Sequence, residues 1–261
     1  MTRLDDMELP FYFGADRELF GLFHATAAPA DKAVLLCPPL GQDQIRCHRL
    51  CRQLAHALVA EGIAVLRFDY YGTGDSAGDS VEVDWERCIA DTIVAIGELR
   101  ARSGASQVTA FGARLGGSIA LAAARTGCLS GLVVWDPVLD GSAYVARLDD
   151  MQRAIAVDTQ RFNRPRLTSE VAEQWLGFPI SDRLRRQLVG LRPEPASVPT
   201  LVLDSLSDTS AVNWQSLYAD TEPKVVTLQP STPWDDLRRL ELAILSHPLI
   251  RATTGYFREV A

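Results

Sequence analysis

The sequence predicts an α/β fold, a mostly parallel, twisted sheet of about eight strands flanked by helices. Two patterns indicate this class. Short β-rich runs alternate with longer amphipathic or Ala-rich runs, and several β-rich runs are apolar throughout, as strands buried on both faces require. The chain has 261 residues, 47% hydrophobic and 23% charged, which is enough apolar material for a core without disulfides or metal ions.

The first half of the chain alternates strand and helix. We expect an opening antiparallel hairpin from PFYFG and LFGLFHA, then a buried strand from KAVLLCPP, which ends in a Pro-Pro-Leu-Gly turn. A helix is predicted for CHRLCRQLAHALVAEG, where Gly62 is the C-terminal cap. The strand IAVLRFDYYG, a helix from Val81 to Arg102, the strand QVTAFGA, the small-residue helix LGGSIALAAART and the strand GLVVWDPV follow.

The alternation stops between Asp140 and Ser197, where the pattern predicts helices and no strand. The three helix-like pieces run from Ala143 to Gln160, from Ser169 to Leu176 and from Ser181 to Leu191. We therefore predict a helical cap inserted at residues 140–197 into a core made of residues 1–139 and 198–261.

The alternation resumes after the insertion. PTLVLDS and KVVTLQP are predicted as strands, with a helix near Ala211 to Tyr218 between them. Two helical stretches are expected to close the chain.

Composition excludes several classes of protein. With 26 Lys plus Arg against 33 Asp plus Glu, the net charge is -7, and a nucleic-acid partner is not expected because phosphate binding needs a cationic surface. The N-terminus lacks the apolar region of a signal peptide, and no apolar run approaches the roughly 20 residues that span a bilayer. We expect a cytoplasmic protein without a transmembrane segment.

The five cysteines form an odd set without a CxxC pair, which favours a reduced chain. Cys47 and Cys51 flank His48 at helical spacing, but no further Cys or His cluster completes four ligands. We interpret them as small apolar residues on one helix face. The sequence predicts no metal ion and no cofactor.

One motif carries the chemistry. Phe111-Gly112-Ala113-Arg114-Leu115-Gly116-Gly117 lies between a predicted strand and a predicted helix, where glycines permit the tight turn called a nucleophile elbow. With the earlier loop DYYGTGDS, this motif resembles the α/β-hydrolase superfamily, in particular its serine aminopeptidase (S33)-like members. FDYYGTGDSAGD and WDPV also resemble hydrolase-like proteins associated with exosortase and exopolysaccharide-export systems or natural-product biosynthetic clusters. The resemblance implies an α/β-hydrolase fold.

The family pattern is G-x-S-x-G, and this chain has Arg114 at the nucleophile position. A guanidinium stays protonated and has no lone pair suited to attack an acyl carbon, so an acyl-enzyme cannot form there. The nucleophile elbow is degenerate, and ordinary serine hydrolase activity is not expected.

The other triad positions can be tested separately. The resemblance implies an acid after the strand PTLVLDS, where Asp208 stands, with Asp204 as a nearer alternative. It implies a histidine after the strand KVVTLQP, but no histidine follows there, and the nearest is His247. Two triad members are therefore missing from their expected positions.

Two other side chains are candidate nucleophiles. Ser118 lies one helical turn beyond Arg114 and is expected to bond a backbone carbonyl. Cys37 ends a strand near the loop that supplies the oxyanion hole in this fold, and is expected to fill the core.

An arginine at the elbow creates a site for anions, because the helix that follows adds partial positive charge from its unpaired amides. We expect backbone donors at Leu115 and at Leu40-Gly41 to assist it. Alternatively, the guanidinium pairs with an internal carboxylate, since a buried charge needs a partner. The carboxylates predicted at the same sheet edge are Asp136, Asp204 and Asp208.

If a reaction occurs, the residues predict acid–base or electrostatic catalysis in which Arg114 stabilises negative charge. Asp208 and Asp136 are candidate bases, Tyr71 a candidate donor and Trp234 a stacking wall. The structural alternatives are that Tyr71 caps the glycine loop and that Trp234 fills the space of the absent histidine.

Three functions remain open. The chain is an altered α/β-hydrolase homologue that binds an acidic or acyl-bearing small molecule, a hydrolase or acyltransferase with a relocated nucleophile, or a non-catalytic scaffold. The sequence does not predict the oligomeric state.

Overall fold

The computed structural model describes residues 8–158, 173–206, 214 and 222–259. The strands are β1 Glu8–Phe13, β2 Leu19–His24, β3 Lys32–Cys37, β4 Ala64–Phe68, β5 Gln107–Ala113, β6 Gly131–Trp135, β7 Gln174–Trp175, β8 Phe178–Pro179, β9 Thr200–Asp204 and β10 Lys224–Thr227. The helices are α1 Gln42–Ala60, α2 Trp85–Ser103, α3 Leu115–Ala124, α4 Gly141–Ala156, α5 Asp182–Val189 and α6 His247–Glu259.

An eight-stranded sheet forms the centre, in the order β1-β2-β4-β3-β5-β6-β9-β10. The β1–β2 and β2–β4 pairs are antiparallel and the other pairs are parallel. Strands β6 and β9 are buried along their whole length, as expected for a sheet covered on both faces. The predicted α/β class, the mostly parallel sheet and the opening hairpin are confirmed.

Two apolar layers lie on the two faces of the sheet. Alternate residues of a strand point to opposite faces, so Leu35 packs into the layer that contains α2 and α3. Val34 and Leu36 pack into the layer that contains α1 and α6. Helices therefore cover both faces of the sheet, which leaves the ends of the strands for a binding site.

The strand registers bring several carboxyl ends to one edge. Cys37 pairs with Gly112, Ala113 pairs with Trp135, and Trp135 pairs with Leu203. The residues that follow β3, β5, β6 and β9 therefore meet, and binding sites of open α/β sheets form at this edge.

The segment between β6 and β9 contains α4, the β7–β8 hairpin and α5. The helix predicted from Ser169 to Leu176 is wrong over its described end, where Gln174–Trp175 is a strand. Leu176 has a φ of 53° and Gly177 a φ of 93°, and such a left-handed turn cannot continue a helix. Residues 159–172 lie outside the described part of the chain.

The starts of two helices differ from the predictions because the residues that precede them set where each helix begins. Helix α1 begins at Gln42, five residues before Cys47, because the chain enters it through Gly41 at a φ of 61°. Helix α2 begins at Trp85 because the Asp84 side chain accepts a hydrogen bond from the Arg87 amide.

The C-terminal part departs from the prediction in one element. Of the two closing helical stretches, one is α6, and the segment before it contains only a short 3₁₀ turn, Leu237–Arg239. The helix predicted near Ala211 to Tyr218 lies outside the described residues except for Trp214. No helix in the described ranges is long and apolar enough to cross a membrane.

Candidate active site

The turn between β5 and α3 presents Arg114 at the carboxyl edge of the sheet. Arg114 has a φ of 50°, a strained conformation for a residue with a side chain. A Cβ on Gly112 would lie 2.3 Å from the carbonyl oxygen of Gly116, and one on Gly116 would lie 2.3 Å from that of Cys37. The glycines are therefore required for this tight strand-to-helix turn.

The Arg114 guanidinium is held inside the molecule. Its side chain is 13% exposed, and Nε lies 3.7 Å from Oδ2 of Asp43. Nη1 donates a hydrogen bond of 3.3 Å to the backbone carbonyl of Asp136. The guanidinium carbon lies 5.2 Å from the Trp234 ring centre and 5.4 Å from that of Tyr144, within the range of cation–π attraction.

Asp43 is the carboxylate that sequence reasoning missed. It lies in the first turn of α1, where the helix dipole favours a negative charge. Burial raises the pKa of its carboxyl, and the positive charges of Arg114 and Arg46 partly oppose that shift. The strand pattern predicts carboxylates that follow strands, whereas Asp43 follows the turn after β3 and lies in the first turn of a helix.

Asp136, predicted as a base or as the partner of Arg114, is fully buried and bonded internally. Its Oδ1 accepts a 2.8 Å hydrogen bond from the Ser205 amide, and its Oδ2 accepts from the Ser205 hydroxyl and from Trp234 Nε1 at 2.7 Å. Burial raises the pKa of Asp136, and these hydrogen bonds and the Arg114 charge oppose the rise. Only the backbone of Asp136 contacts Arg114.

Of the other two predicted acids, only Asp204 lies in the described part of the chain. Asp204 accepts hydrogen bonds from the Leu206 amide at 3.1 Å and from Trp214 Nε1 at 3.0 Å. Asp208 falls outside the described residues. Among the described residues, the carboxylate that faces Arg114 is that of Asp43.

Trp234 stands in the loop where a histidine was sought. Its ring packs against Trp135 at a centroid distance of 4.7 Å. The buried Arg46 fixes this loop by donating 2.7 Å hydrogen bonds to the backbone carbonyls of Pro233 and Trp234. His247 begins α6 and is exposed.

A cavity of about 130 Å³ is lined by Asp43, the residue that faces Arg114, but Arg114 itself, predicted as the anion anchor, is not among the lining residues. Leu40, Gly41 and Leu115, predicted to bind substrate, are in its wall, together with Asp43 and Tyr144, which flank the guanidinium. The remaining lining residues are mainly apolar and come mostly from the loop after β4 and from the segment between β6 and β9. They include Val83, Leu148, Trp175, Leu176, Phe178, Ile180, Leu184 and Leu188.

Two predicted substrate-binding residues, Tyr71 and Trp234, are not in the cavity wall. The Tyr71 ring packs under Arg87 with 3.5 Å between the guanidinium carbon and the ring centre. A Cβ on Gly78 would come within 2.4 Å of that ring. The Tyr71 amide donates to the Asp91 carboxylate, so this residue anchors the loop.

The alternative nucleophiles are engaged or buried. The Ser118 hydroxyl donates a 2.7 Å hydrogen bond to the carbonyl of Val138, as expected for a buried serine. Cys37 is 2% exposed, and burial raises the pKa of its thiol, which makes it a poor nucleophile. Within the described ranges, no serine or cysteine side chain is hydrogen-bonded to a histidine ring.

Comparison with solved structures shows the fold. The chain is similar to Est1E from Butyrivibrio proteoclasticus with ferulic acid bound, with a TM-score of 0.63 and 16% identity over 92% of this chain and 94% of that one. It is similar to alpha/beta hydrolase domain-containing protein 10 from mouse, with a TM-score of 0.58 and 17% identity over 97% and 100%. An esterase from Pyrococcus furiosus gives a TM-score of 0.55 and 14% identity over 77% and 73%.

Among curated protein sequences, none matches the chain. The family model described as serine aminopeptidase, S33, matches residues 28–177, which include the elbow and the loop after β4. The chain therefore belongs to the serine aminopeptidase, S33, family of α/β hydrolases.

Proposed function

We propose that this chain binds an acyl-bearing small molecule beside the Arg114–Asp43 pair and does not form a serine ester. The observation that carries the proposal is the position of Arg114: it occupies the elbow, and its guanidinium faces Asp43 at 3.7 Å. A charged guanidinium cannot attack an acyl carbon.

The residue found where a histidine is expected supports the same proposal. Trp234 lies in the loop after β10 and donates its indole N–H to Asp136. An indole nitrogen is only a donor and cannot accept a proton from a nucleophile. With Arg114 and Trp234 at these two positions, proton relay through a serine and an imidazole has no route among the described residues.

The lining of the cavity favours a ligand that has an apolar body and one polar end. Its volume of about 130 Å³ is close to the roughly 150 Å³ of an apolar cavity that binds benzene, so a short alkyl or aromatic acyl group fits. Asp43 offsets much of the Arg114 charge, which favours an acyl carbonyl or a single carboxyl group over a highly charged anion.

Asp43 is the group best placed for chemistry on such a ligand. Asp43 is a lining residue of the cavity, and burial raises the pKa of its carboxyl, a combination typical of groups that transfer protons. We propose Asp43 as the acid or base of a non-hydrolytic step, with Arg114 as the positive charge that faces Asp43.

The cap segment and the cellular compartment are part of the same proposal. We propose residues 140–197 as a cap over the cavity, because Leu148, Trp175 and Leu184 of this segment are in its wall. A reducing, cytoplasmic setting is supported by five free cysteines. The narrower resemblance to hydrolase-like proteins of export or biosynthetic systems is consistent with binding rather than digestion.

Ligand titration tests the binding proposal. We expect short alkyl and aryl amides, which carry the acyl carbonyl but hydrolyse slowly, to bind in calorimetry. Leu148→Trp should fill the cavity and weaken binding more than about tenfold, whereas Leu245→Trp, at an exposed residue, should leave it unchanged. Equal binding by both variants would place the ligand elsewhere.

Labelling with a fluorophosphonate tests the chemical part. We expect no stoichiometric adduct on any serine. A stoichiometric serine adduct would instead establish a hydrolase or acyltransferase with a relocated nucleophile.

A further inference from the structure

Three metal-ligating side chains meet at the end of the sheet formed by the N-terminal hairpin. Glu8 in β1 and His24 in β2 are cross-strand partners, and His56 lies on α1, which covers this part of the sheet. Glu8 Oε1 is 2.6 Å from His56 Nε2 and 3.8 Å from His24 Nδ1. None of the three is in the wall of the cavity that Asp43 lines.

The His24 imidazole is buried without hydrogen bonds. It is 3% exposed, and its Nε2 has no partner among the described residues. Its Nδ1 faces Glu8 at 3.8 Å, which is too long for a hydrogen bond. Leaving a buried polar atom unpaired is costly. A cation held between Nδ1 and the Glu8 carboxylate would give Nδ1 a partner, while Nε2 would stay unpaired.

We infer that Glu8, His24 and His56 form a binding site for a divalent transition-metal ion of the zinc type. Two imidazoles and one carboxylate favour zinc and its neighbours over magnesium or calcium, which prefer oxygen ligands. The three donor atoms all lie within 4.8 Å of one another. Zinc with bonds of about 2.0–2.1 Å needs donors roughly 3.3–3.5 Å apart, so small side-chain adjustments are enough, and water completes the coordination.

Arg52 is the cation that competes for this position. Its Nε lies 3.0 Å from the same Glu8 oxygen, but its side chain is 47% exposed, so it can turn into solvent when the metal binds. The bound ion would join β1 and β2 to α1. It would therefore stabilise the edge of the sheet rather than act in the cavity.

Calorimetry on the full chain, stripped with EDTA and dialysed, tests the site with zinc chloride alone. We expect one saturable ion per chain and a higher melting temperature with zinc, because a ligand that binds only the folded state stabilises it. Glu8→Gln and His56→Gln should each weaken binding by more than about tenfold, since even groups that only support metal ligands contribute about 10–100-fold. Arg52→Gln should tighten it.

His48→Gln is the matched control, because His48 lies on the same helix outside the cluster. It should leave zinc affinity unchanged. Cobalt gives a second readout, in which we expect nitrogen and oxygen ligation without a thiolate charge-transfer band. A thiolate band, loss of binding in His48→Gln, or equal binding by wild type and a folded His56→Gln would each overturn the inference.

Discussion

The indole Nε1 of Trp234 donates a 2.7 Å hydrogen bond to Oδ2 of Asp136. Asp136 follows β6, and Trp234 occupies the loop after β10 in which the family resemblance implies a histidine. The resemblance implies an acid after β9 rather than after β6, but the carboxylate of Asp136 accepts from Trp234 as a carboxylate can accept from an imidazole, and the indole nitrogen is a donor that cannot accept a proton. Arg114 lies against both residues, through the Asp136 carbonyl and the Trp234 ring.

This relation predicts that esterase activity requires two changes together. Arg114→Ser alone supplies a hydroxyl without a base, and Trp234→His alone supplies a base without a hydroxyl. In the double variant, Asp136 can orient the new imidazole, and general-base catalysis contributes about 10²–10⁴-fold. We expect hydrolysis of p-nitrophenyl acetate by the double variant to exceed that of either single variant by about 100-fold.

Adding Asp136→Asn to the double variant is the control for orientation, and it should remove most of the gained rate. Equal rates in the single and double variants would show that Trp234 does not occupy the position of a catalytic base.

The same hydrogen bond predicts a loss of stability in Trp234→Phe. The substitution leaves a buried carboxylate with one donor fewer, which costs about 1–3 kcal/mol. Urea unfolding should register that loss in the free energy of unfolding. Trp175→Phe is the matched control, because Trp175 Nε1 donates to Asp149, which Arg185 also bonds. A loss as large in Trp175→Phe as in Trp234→Phe would mean that indole packing, not the Asp136 bond, sets the effect.

The fold was predictable because it depends on patterns that are local in the sequence. The buried strands and the helical period gave the sheet, and the glycines around Arg114 indicated the tight turn at the elbow. The starts of the helices were harder to predict. Asp84 and Gly41 set where α2 and α1 begin, and a single polar or glycine residue is a weak signal in a sequence.

The contacts of the site were less predictable because they join distant parts of the chain. Asp43 was missed as the partner of Arg114 because it precedes a helix rather than follows a strand. The Trp234–Asp136 bond depends on a loop held by Arg46 from α1. Likewise, Glu8, His24 and His56 have no motif spacing, and only the packing of α1 on the hairpin brings them together.

The Arg114–Asp43 pair predicts coupled effects on stability. Arg114→Gln removes the cation and leaves the Asp43 carboxyl buried without it, which should cost about 1–3 kcal/mol at neutral pH, less than breaking a fully buried pair. Asp43→Asn in the Arg114→Gln background should recover most of that loss, because the amide carries no charge. Urea unfolding of the wild type, the two single variants and the double variant gives the coupling energy, and additive losses would contradict the pairing.

The raised pKa of Asp43 also predicts how stability changes with pH. Its carboxyl binds a proton more readily in the folded chain than at the ordinary value of 3.8, so between that value and the folded pKa the folded state holds more protons than the unfolded state. Stability from this group therefore increases as the pH falls through the folded pKa toward 3.8 and decreases as the pH rises. Asp43→Asn lacks this titration.

The measurement that isolates Asp43 is the difference in unfolding free energy between wild type and Asp43→Asn, followed by urea unfolding from neutral to mildly acidic pH. Asp136 and Asp91 also have pKa values raised by burial, but they are present in both proteins and cancel in the difference. Wild type should gain on the variant as the pH falls, by at most about 1.4 kcal/mol per pH unit. A constant difference would mean that the Arg114 charge cancels the effect of burial on the pKa of this carboxyl, and a difference that moves in favour of Asp43→Asn would mean that the charge outweighs burial.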